Sequence, residues 1–397
     1  KVLTHLKLRA SYGKVGNDKL GNERFLYLTN ISTGSGFVSS LGRGQAINMG
    51  KLGNENLTWE VAYKQNYGVD LKLFNDFSFS FDYFKEKRED ILIVRGTVPE
   101  LQGVAIGNLP KVNMGVVNNQ GFEIETGYQK RLDSGLFFSI KGNFAYNKNE
   151  QRNMDEAILS KDYAYRYRKT GYSIGQQFGY LIDYSNGNGY INTAEELEEA
   201  KRMYKIGTPR LGDFKYQDVN GDGEINEKDQ APIKYTDVPR ITYGLTGAVE
   251  WKGVDFSFHF SGIGKASRLY NSWGATELGN EGIYTDVHMH AWTPERYANG
   301  EKIEYPALAS IANTNHIAND YFIMDRSFLR LKNIELGYTL PKSLLQKVGL
   351  SKVRVYINGN NLITWKKIKT NTIDPEQSWE VNYPLTKMVN FGVNVVF

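Results

Sequence analysis

The sequence predicts an all-β chain that folds as a transmembrane antiparallel β-barrel with long extracellular loops. Three observations support this fold class. The chain ends in an alternating strand whose last residue is the aromatic Phe397, strand-like segments recur in pairs, and short turns alternate with very long connections. Bacterial outer-membrane barrels combine short periplasmic turns with longer extracellular loops in the same way.

The closing strand, residues 388–397, separates two kinds of side chain. Side chains alternate along a strand, so the sequence M-V-N-F-G-V-N-V-V-F places its aromatic and most of its aliphatic residues on one face. The opposite face carries Asn390, Gly392 and Asn394. An apolar outer face and a mostly polar inner face suit a barrel strand, although the last strand of a soluble β-sandwich would alternate similarly.

Nine further strands precede it, mostly in hairpins. The ten predicted strands are residues 4–12, 61–74, 77–85, 121–131, 136–146, 240–250, 254–261, 328–340, 352–359 and 388–397. Asn75-Asp76 predicts a tight turn, because both residue types tolerate positive φ. Residues 341–347 are expected to make one or two helical turns, and the capping box at Thr193 predicts a surface helix that runs to Tyr204.

The connections between these hairpins are long: residues 13–60, 86–120, 147–239, 262–327 and 360–387. Compact soluble domains rarely contain such connections. In a barrel they would all lie outside the cell, and the C-terminus would be periplasmic. The polar strand residues would then line a wet lumen, although a sandwich would expose the same residues to solvent: Glu123, Glu125, Lys141, Asn143, Asp255, His259, Arg354 and Asn358.

Composition excludes several classes of protein. No window approaches 18 uninterrupted apolar residues, so a transmembrane helix is not expected. The chain contains 26 Tyr and 20 Phe, which suits an aromatic-rich barrel or sandwich, and it has no cysteine, which removes disulfide and thiol chemistry. A net charge of +4 without a basic tract gives no indication of nucleic-acid binding. Lys1 opens almost directly into a strand, which predicts a mature, processed or truncated chain.

Several motifs, read in order, resemble the SusC/RagA family of TonB-dependent outer-membrane transporters. They include N-E-N-L-T-W-E at 54–60, N-Q-G-F-E at 119–123, G-D-F-K-Y-Q-D-V-N-G-D-G at 212–223 and L-R-L-K-N-I at 329–334. The C-terminal pattern also resembles the family's barrel-assembly signal: Asn390, Gly392, Val395 and Phe397. These motifs run through nearly the whole chain.

The resemblance implies that residues 1–397 are the C-terminal ~10 strands of a 22-stranded barrel. The plug domain is expected to lie in the N-terminal part of the same transporter, outside this chain. Active import of an oligosaccharide or oligopeptide would draw energy from TonB–ExbB–ExbD through that plug. A SusD-like surface lipoprotein would act as a lid, and outer-membrane lipid would surround the barrel. The alternatives are a secreted, calcium-stabilised β-sandwich that binds or degrades glycans, and a passive ten-stranded pore.

A calcium-binding pattern lies within the long connection 147–239. Oxygen ligands at positions 1, 3 and 5, glycine at 6, a main-chain carbonyl at 7 and a carboxylate at 12 match the requirements of Ca²⁺. The predicted ligands are Asp218, Asn220, Asp222, Glu224 through its main chain, and Asp229. An Asx- and Gly-rich turn without a metal is the alternative.

Recognisable catalytic motifs are not found, so no enzymatic activity is expected. Four tryptophans fall in predicted extracellular loops: Trp273, Trp292, Trp365 and Trp379. Each is a candidate for contact with substrate or a partner protein, and each is equally consistent with a residue that fills a loop core.

Overall fold

The computed structural model describes residues 2–18, 24–34, 38–39, 42–44, 46–99, 103–157, 168–271, 275–278, 284–345, 349–377, 383 and 385–397. In chain order the strands are β1 (Leu3–Asn17), β2 (Ile31–Gly34), β3 (Val38–Ser39), β4 (Gly42–Arg43), β5 (Ala46–Met49), β6 (Glu60–Leu73), β7 (Phe77–Val94), β8 (Lys111–Arg131), β9 (Phe137–Asn153), β10 (Gln176–Gly179), β11 (Ala231–Thr236), β12 (Ile241–Trp251), β13 (Val254–Gly264), β14 (Ser267–Leu269), β15 (Ile323–Asp325), β16 (Phe328–Thr339), β17 (Lys352–Lys366) and β18 (Met388–Val396). The described α-helices are α1 (Ala194–Met203), α2 (Pro294–Ala298) and α3 (Lys342–Leu345).

One large sheet dominates the described residues. It contains ten strands in the order β1-β6-β7-β8-β9-β12-β13-β16-β17-β18, and every neighbouring pair is antiparallel. The ten predicted strands are therefore confirmed, in sequence order. A β-sandwich needs two sheets packed face to face, so the sandwich alternative is wrong. The sheet is open, with β1 and β18 at its edges, which also argues against a closed ten-stranded pore.

Several strands extend further than predicted at the end of the sheet that carries the long connections, here called the loop end. β7 continues to Val94, β9 to Asn153 and β17 to Lys366. Residues 85–89 read K-E-K-R-E, so the apolar alternation stops there while the backbone ladder goes on, with Lys85 opposite Gln120. Alternation marks only the part of a strand with one apolar face, so the predicted ends of β7 and β9 came too early.

The opposite end of the sheet, here called the turn end, carries tight hairpins. The β6–β7 turn is centred on Phe74 (φ 54°) and Asn75 (φ 64°), and Asp76 N–H donates to Leu73 O at 3.1 Å. The predicted turn at Asn75-Asp76 is thus displaced by one residue. α3 confirms the predicted helical turn between β16 and β17.

The connections at the loop end fold into a compact unit with its own core, here called the cap. α1 begins after Thr193, whose side chain accepts the Glu196 N–H, as predicted, and it ends at Met203, one residue before the predicted end at Tyr204. The cap core is rich in aromatic residues and includes Tyr180, Tyr190, Tyr204, Phe214, Tyr216, Tyr270, Trp292, Tyr305, Tyr321 and Phe322. None of the described helices is long and apolar enough to cross a bilayer.

Candidate functional site

The sheet has one charged face, and its first cluster centres on Arg9 in β1. The Arg9 guanidinium donates to Asp70 at 2.9 and 3.0 Å and to Asp82 at 2.7 and 2.9 Å, and Ser80 Oγ lies 3.3 Å away. Gly68 leaves room for it, since a Cβ at that position would lie 2.8 Å from Arg9 Cζ. Three neighbouring strands are thereby joined by charge-assisted hydrogen bonds.

A second cluster on the same face joins β13, β16 and β17. Arg354 Nε donates to Asp255 at 2.9 Å, and its Nη2 donates to Glu335 at 2.6 Å. These side chains come from three adjacent strands and contact one another, so they lie on the same face of the sheet. The predicted inward residues Asp255 and Arg354 therefore share one face. Charged residues in both clusters remain partly accessible to water.

The opposite face is apolar and carries ladders of aromatic rings. Phe122 stacks between Phe81 and Phe144, with ring centroids 6.2 and 5.9 Å apart. Trp365 lies in β17, half-exposed, with its ring 6.3 Å from Phe260. The prediction that Trp365 lies in a loop is therefore wrong, because β17 continues past residue 359 and turns the indole to the apolar face.

Trp292 lies inside the cap. It is 6% exposed, and its Nε1–H donates to Asn192 Oδ1 at 3.0 Å. Gly212 packs against the indole, since a Cβ there would lie 2.5 Å from Trp292 Cδ2. Of the two interpretations left open by the sequence, the structure favours a residue that fills the loop core. Trp273 and Trp379 lie outside the described residues, and their contacts stay predictions.

A buried polar network joins two connections of the cap. Asp213 Oδ1 accepts from Asn315 Nδ2 at 2.9 Å, and Asn315 Oδ1 accepts the Phe214 N–H at 2.8 Å. Asn319 Nδ2 donates to Tyr216 Oη at 3.0 Å. Both asparagines and Asp213 are fully buried, and such groups are stable only when they are paired. The G-D-F motif therefore has a structural role in holding the cap together.

Arg330 anchors the last connection to the sheet, and sequence reasoning missed this role. Its side chain is 1% exposed; it donates to Thr364 Oγ1 at 2.9 Å and to Asp374 at 2.6 and 2.8 Å, and it also bonds Glu376. Lys332 Nζ reaches Glu376 at 2.7 Å. The sequence contains one signal that could have predicted these ion pairs. Two basic residues alternate in β16 as R-x-K, and two acidic residues follow downstream in D-P-E at 374–376.

Glu277 is a second buried charge that the sequence did not identify. It accepts from Tyr305 Oη at 2.6 Å and from the Ala309 N–H at 2.9 Å, and His316 Nε2 lies 3.2 Å away. Burial alone would raise the pKa of Glu277, but these partners outweigh it and hold the pKa at about 2. The carboxylate thus stays ionised inside the cap.

The calcium-like segment folds as a tight turn around Asp218. Asp218 accepts N–H groups from Gly221 at 2.7 Å, Asp222 at 3.2 Å and Gly223 at 2.7 Å. Both glycines have positive φ, at 76° and 84°, which explains the need for glycine. Asn220 Nδ2 donates to Asp222 Oδ2 at 2.9 Å, so the first three predicted ligands lie together in one turn.

Asp229, the predicted ligand at position 12, has other partners in the structure. It is fully buried and accepts the Val219 and Asn226 N–H groups, each at 2.8 Å. Burial raises the pKa of this carboxyl. The Glu224 N–H donates to Asp222 at 2.9 Å. Among the residues that the structure describes, no three Asp, Glu or His side chains converge as a metal-binding group, so these donors fit Ca²⁺ only in part.

The C-terminal pattern lies in the edge strand β18. Asn390 Nδ2 donates to Asn358 Oδ1 at 2.9 Å, Gly392 stands opposite Tyr356, and Val395 stands opposite Val353. Phe397 is 90% exposed. Their role as an assembly signal stays a prediction.

Comparison with known proteins supports this architecture. A family model described as TonB dependent receptor-like, beta-barrel, matches residues 1–362. TonB-dependent receptor P26 of Formosa agariphila is 27% identical over 416 residues, which cover 99% of this chain and 40% of that receptor. TonB-dependent receptor SusC of Bacteroides thetaiotaomicron is 23% identical over 413 residues, which cover 100% of this chain and 38% of that receptor.

Solved structures show the same fold. The RagAB peptide transporter superposes with a TM-score of 0.69 at 22% identity, covering 100% of this chain and 41% of that chain. The RagAB peptide importer in its open-open state gives a TM-score of 0.67, also at 22% identity, covering 100% of this chain and 40% of that chain. The chain therefore spans about two fifths of the length of these relatives.

Proposed function

The chain belongs to the TonB-dependent receptor-like β-barrel family, and on that premise we propose that it forms the C-terminal barrel wall of an outer-membrane nutrient importer. The observation that carries this proposal is the open ten-stranded sheet with one charged and one apolar face. Such a wall fits a barrel that has lipid outside and water inside. The two free edges, β1 and β18, would pair with strands from the N-terminal part of the same transporter.

The orientation follows from the lengths of the connections. The loop end, with the cap, would lie outside the cell, and the turn end and C-terminus would be periplasmic. The clusters around Arg9 and Arg354 would then face the lumen, where water and the plug contact the wall. Trp365 would belong to the aromatic belt at the extracellular interface of the membrane.

The cargo we propose is an oligosaccharide or oligopeptide. The relatives include SusC and the RagAB complex, and the latter is named a peptide importer. A SusD-like surface lipoprotein would cover the cap as a lid, and cargo would be held between lid and barrel. TonB–ExbB–ExbD would pull on the plug and open the lumen. The mechanism is binding and gating, and no bond in the cargo is broken.

Mass spectrometry tests this proposal on the full-length protein purified from native outer membrane in mild detergent. We expect a longer chain that bears the plug, a co-purifying lipoprotein, and a bound glycan or peptide. A lone 45.1 kDa species in the soluble fraction would refute the proposal. Migration of unboiled and boiled samples in gels gives an independent control, because only a detergent-resistant barrel changes its mobility.

We also propose that the turn at Asp218 binds a structural Ca²⁺. The ligands would be Asp218, Asn220, Asp222, the main-chain carbonyl of Glu224 and, at position 12, Asp229. The ligand spacing and the gathered side chains of the turn support this. To bind the metal, Asp229 would have to give up its hydrogen bonds from the Val219 and Asn226 N–H groups. We therefore expect a weak, millimolar affinity for Ca²⁺. Terbium luminescence and calcium-dependent protease protection measure it. Equal signals from the wild type and Asp222→Ala, which removes the ligand oxygen, in millimolar calcium would refute the site.

A further inference from the structure

A polar hollow of about 470 Å³ lies on the charged face of the sheet, close to the turn end. It crosses six neighbouring strands, from β1 to β12. The side chains that line it include Asp70, Lys72, Ser78, Glu125, Lys141 and Thr246. Sites for small ligands in proteins commonly measure about 300–1,000 Å³, so this hollow is large enough to hold one.

One row of paired residues forms the floor of the hollow. Successive partners across the sheet are His5–Lys72, Lys72–Ser78, Ser78–Gly127, Gly127–Lys141 and Lys141–Thr246. This row contains two lysines and no carboxylate. Three strand spacings, about 14 Å in all, separate Lys72 from Lys141. Only Ser78 and Gly127 stand between the two lysines, so the space above these small residues is open.

Gly127 is the residue that keeps the floor open. A Cβ at this position would lie 2.9 Å from Ser78 Oγ and 3.5 Å from Lys141 Cγ. Ser78 and Lys141 therefore flank Gly127 on the same face of the sheet, and any larger side chain at position 127 would enter the hollow.

The charged groups around the hollow differ in their pairing. Asp70 accepts hydrogen bonds from the Arg9 guanidinium at 2.9 and 3.0 Å. Among the residues that the structure describes, Lys72, Lys141 and Glu125 form no ion pair. Glu125 lies in the neighbouring row, which it shares with Asp70. Two ammonium groups of the floor therefore face one carboxylate that has no cation of its own.

We propose that this hollow binds a carboxylate group of the cargo between Lys72 and Lys141. Charge-assisted hydrogen bonds from two ammonium groups favour an anion, and the Ser78 and Thr246 hydroxyls match the polar atoms around it. The end of a peptide and an acidic sugar both carry this group. In the orientation proposed above, the row lies at the periplasmic mouth of the lumen, where its charge draws an acidic cargo toward the exit. The inference rests on the proposed import function and adds the charge class of the cargo.

Acetylation of lysines in the full-length protein in mild detergent, read by peptide mass spectrometry, measures occupancy of the hollow. The charged probes are N-acetyl-trialanine and methyl glucuronide, and their neutral counterparts are N-acetyl-trialanine amide and methyl glucoside. At saturation a charged probe should slow acetylation of Lys72 and Lys141 at least about tenfold, because each ammonium group is engaged by the carboxylate. The neutral probes should have no effect. Protection by only one charged probe identifies the source of the carboxylate as peptide or sugar.

Lys7 is the internal control for this experiment. It is exposed, lies on the same face one row away, opposite Asp70, and is outside the hollow. Its acetylation rate should be the same with every probe.

Two variants test the geometry of the hollow. Gly127→Leu fills the floor and should abolish protection by the charged probes. Gly13→Leu is its matched control, because Gly13 lies on the same face of β1 with open space around an added Cβ. Glu125→Gln removes the competing carboxylate and should lower the probe concentration for half-protection about threefold, a gain that misfolding cannot produce.

Lys72 and Lys141 that resist acetylation without any probe would show that the plug fills the hollow, and this result would overturn the proposal. Equal protection by charged and neutral probes, absence of protection by both charged probes, or an equal loss of protection in Gly13→Leu would also overturn it. Import is judged separately, by the cargo and lipoprotein that co-purify, so these results leave the import proposal standing.

Discussion

Replacing Arg330 with methionine should release the last connection of the cap from the sheet. Arg330 is 1% exposed and bonds Asp374 and Glu376, whose side chains are 12% and 27% exposed. Methionine fills similar space but leaves both carboxylates without their cation. Removal of one partner from a buried ion pair costs about 3–5 kcal/mol. The opening equilibrium of residues 367–377 should therefore rise between about a hundredfold and a few thousandfold.

Hydrogen exchange on the full-length protein in detergent can follow that segment separately from the barrel. We expect faster exchange in 367–377 with little change in β12 and β13, because the ion pairs join one connection to one strand. Arg330→Lys should give an intermediate effect, since it keeps the charge and loses the bidentate geometry. Arg152→Met is the matched control: Arg152 is 54% exposed and pairs with Glu150 at 3.0 Å, so it should cost less than about 1 kcal/mol. Unchanged protection of 367–377 in Arg330→Met would refute the reasoning.

Three further predictions concern the cap and the wall. Glu277 has a folded pKa of about 2 against an ordinary 4.5; its stabilisation of about 3 kcal/mol is present above pH 4.5 and is lost as the pH falls toward 2. Proteolysis of the cap should rise more steeply over that range in the wild type than in Glu277→Gln, in which only the other carboxyl groups titrate. Parallel curves would contradict this. Trp292→Ala should destabilise the cap by about 3–5 kcal/mol, because it empties a buried site and removes the hydrogen bond to Asn192. An unchanged cap melting curve would count against it. Gly68→Val should displace the Arg9 guanidinium and lower the temperature at which the unboiled barrel band disappears, whereas an equal temperature would show that the space is not needed.

Local patterns in the sequence predicted most of the wall. The alternation at residues 61–74 and 77–85 identified a hairpin because each side chain's environment depends only on the face to which it points. The capping box at Thr193 predicted α1, since its hydrogen bonds span three residues. Both the strand order and the hairpin connectivity followed from the short turns. What could not be predicted locally was the length of three strands. In β7 and β9 the alternation stops because residues 85–90 and 147–153 are polar on both faces. In β17 it is interrupted by the N-G-N-N sequence at 358–361, where the register with β16 shifts.

Only the tertiary structure decided which charges meet and where the loop aromatics lie. Arg9 and Asp82 are 73 residues apart, and Arg330 and Asp374 are 44 apart; their pairing depends on strand register and on the path of a long connection. Trp292 and Trp365 looked alike in sequence, yet one fills the cap and the other lies on the apolar face. The sequence therefore determined the alternating wall, through interactions between near neighbours. The ion pairs and the cap core arise from contacts between distant segments, which local periodicity does not encode.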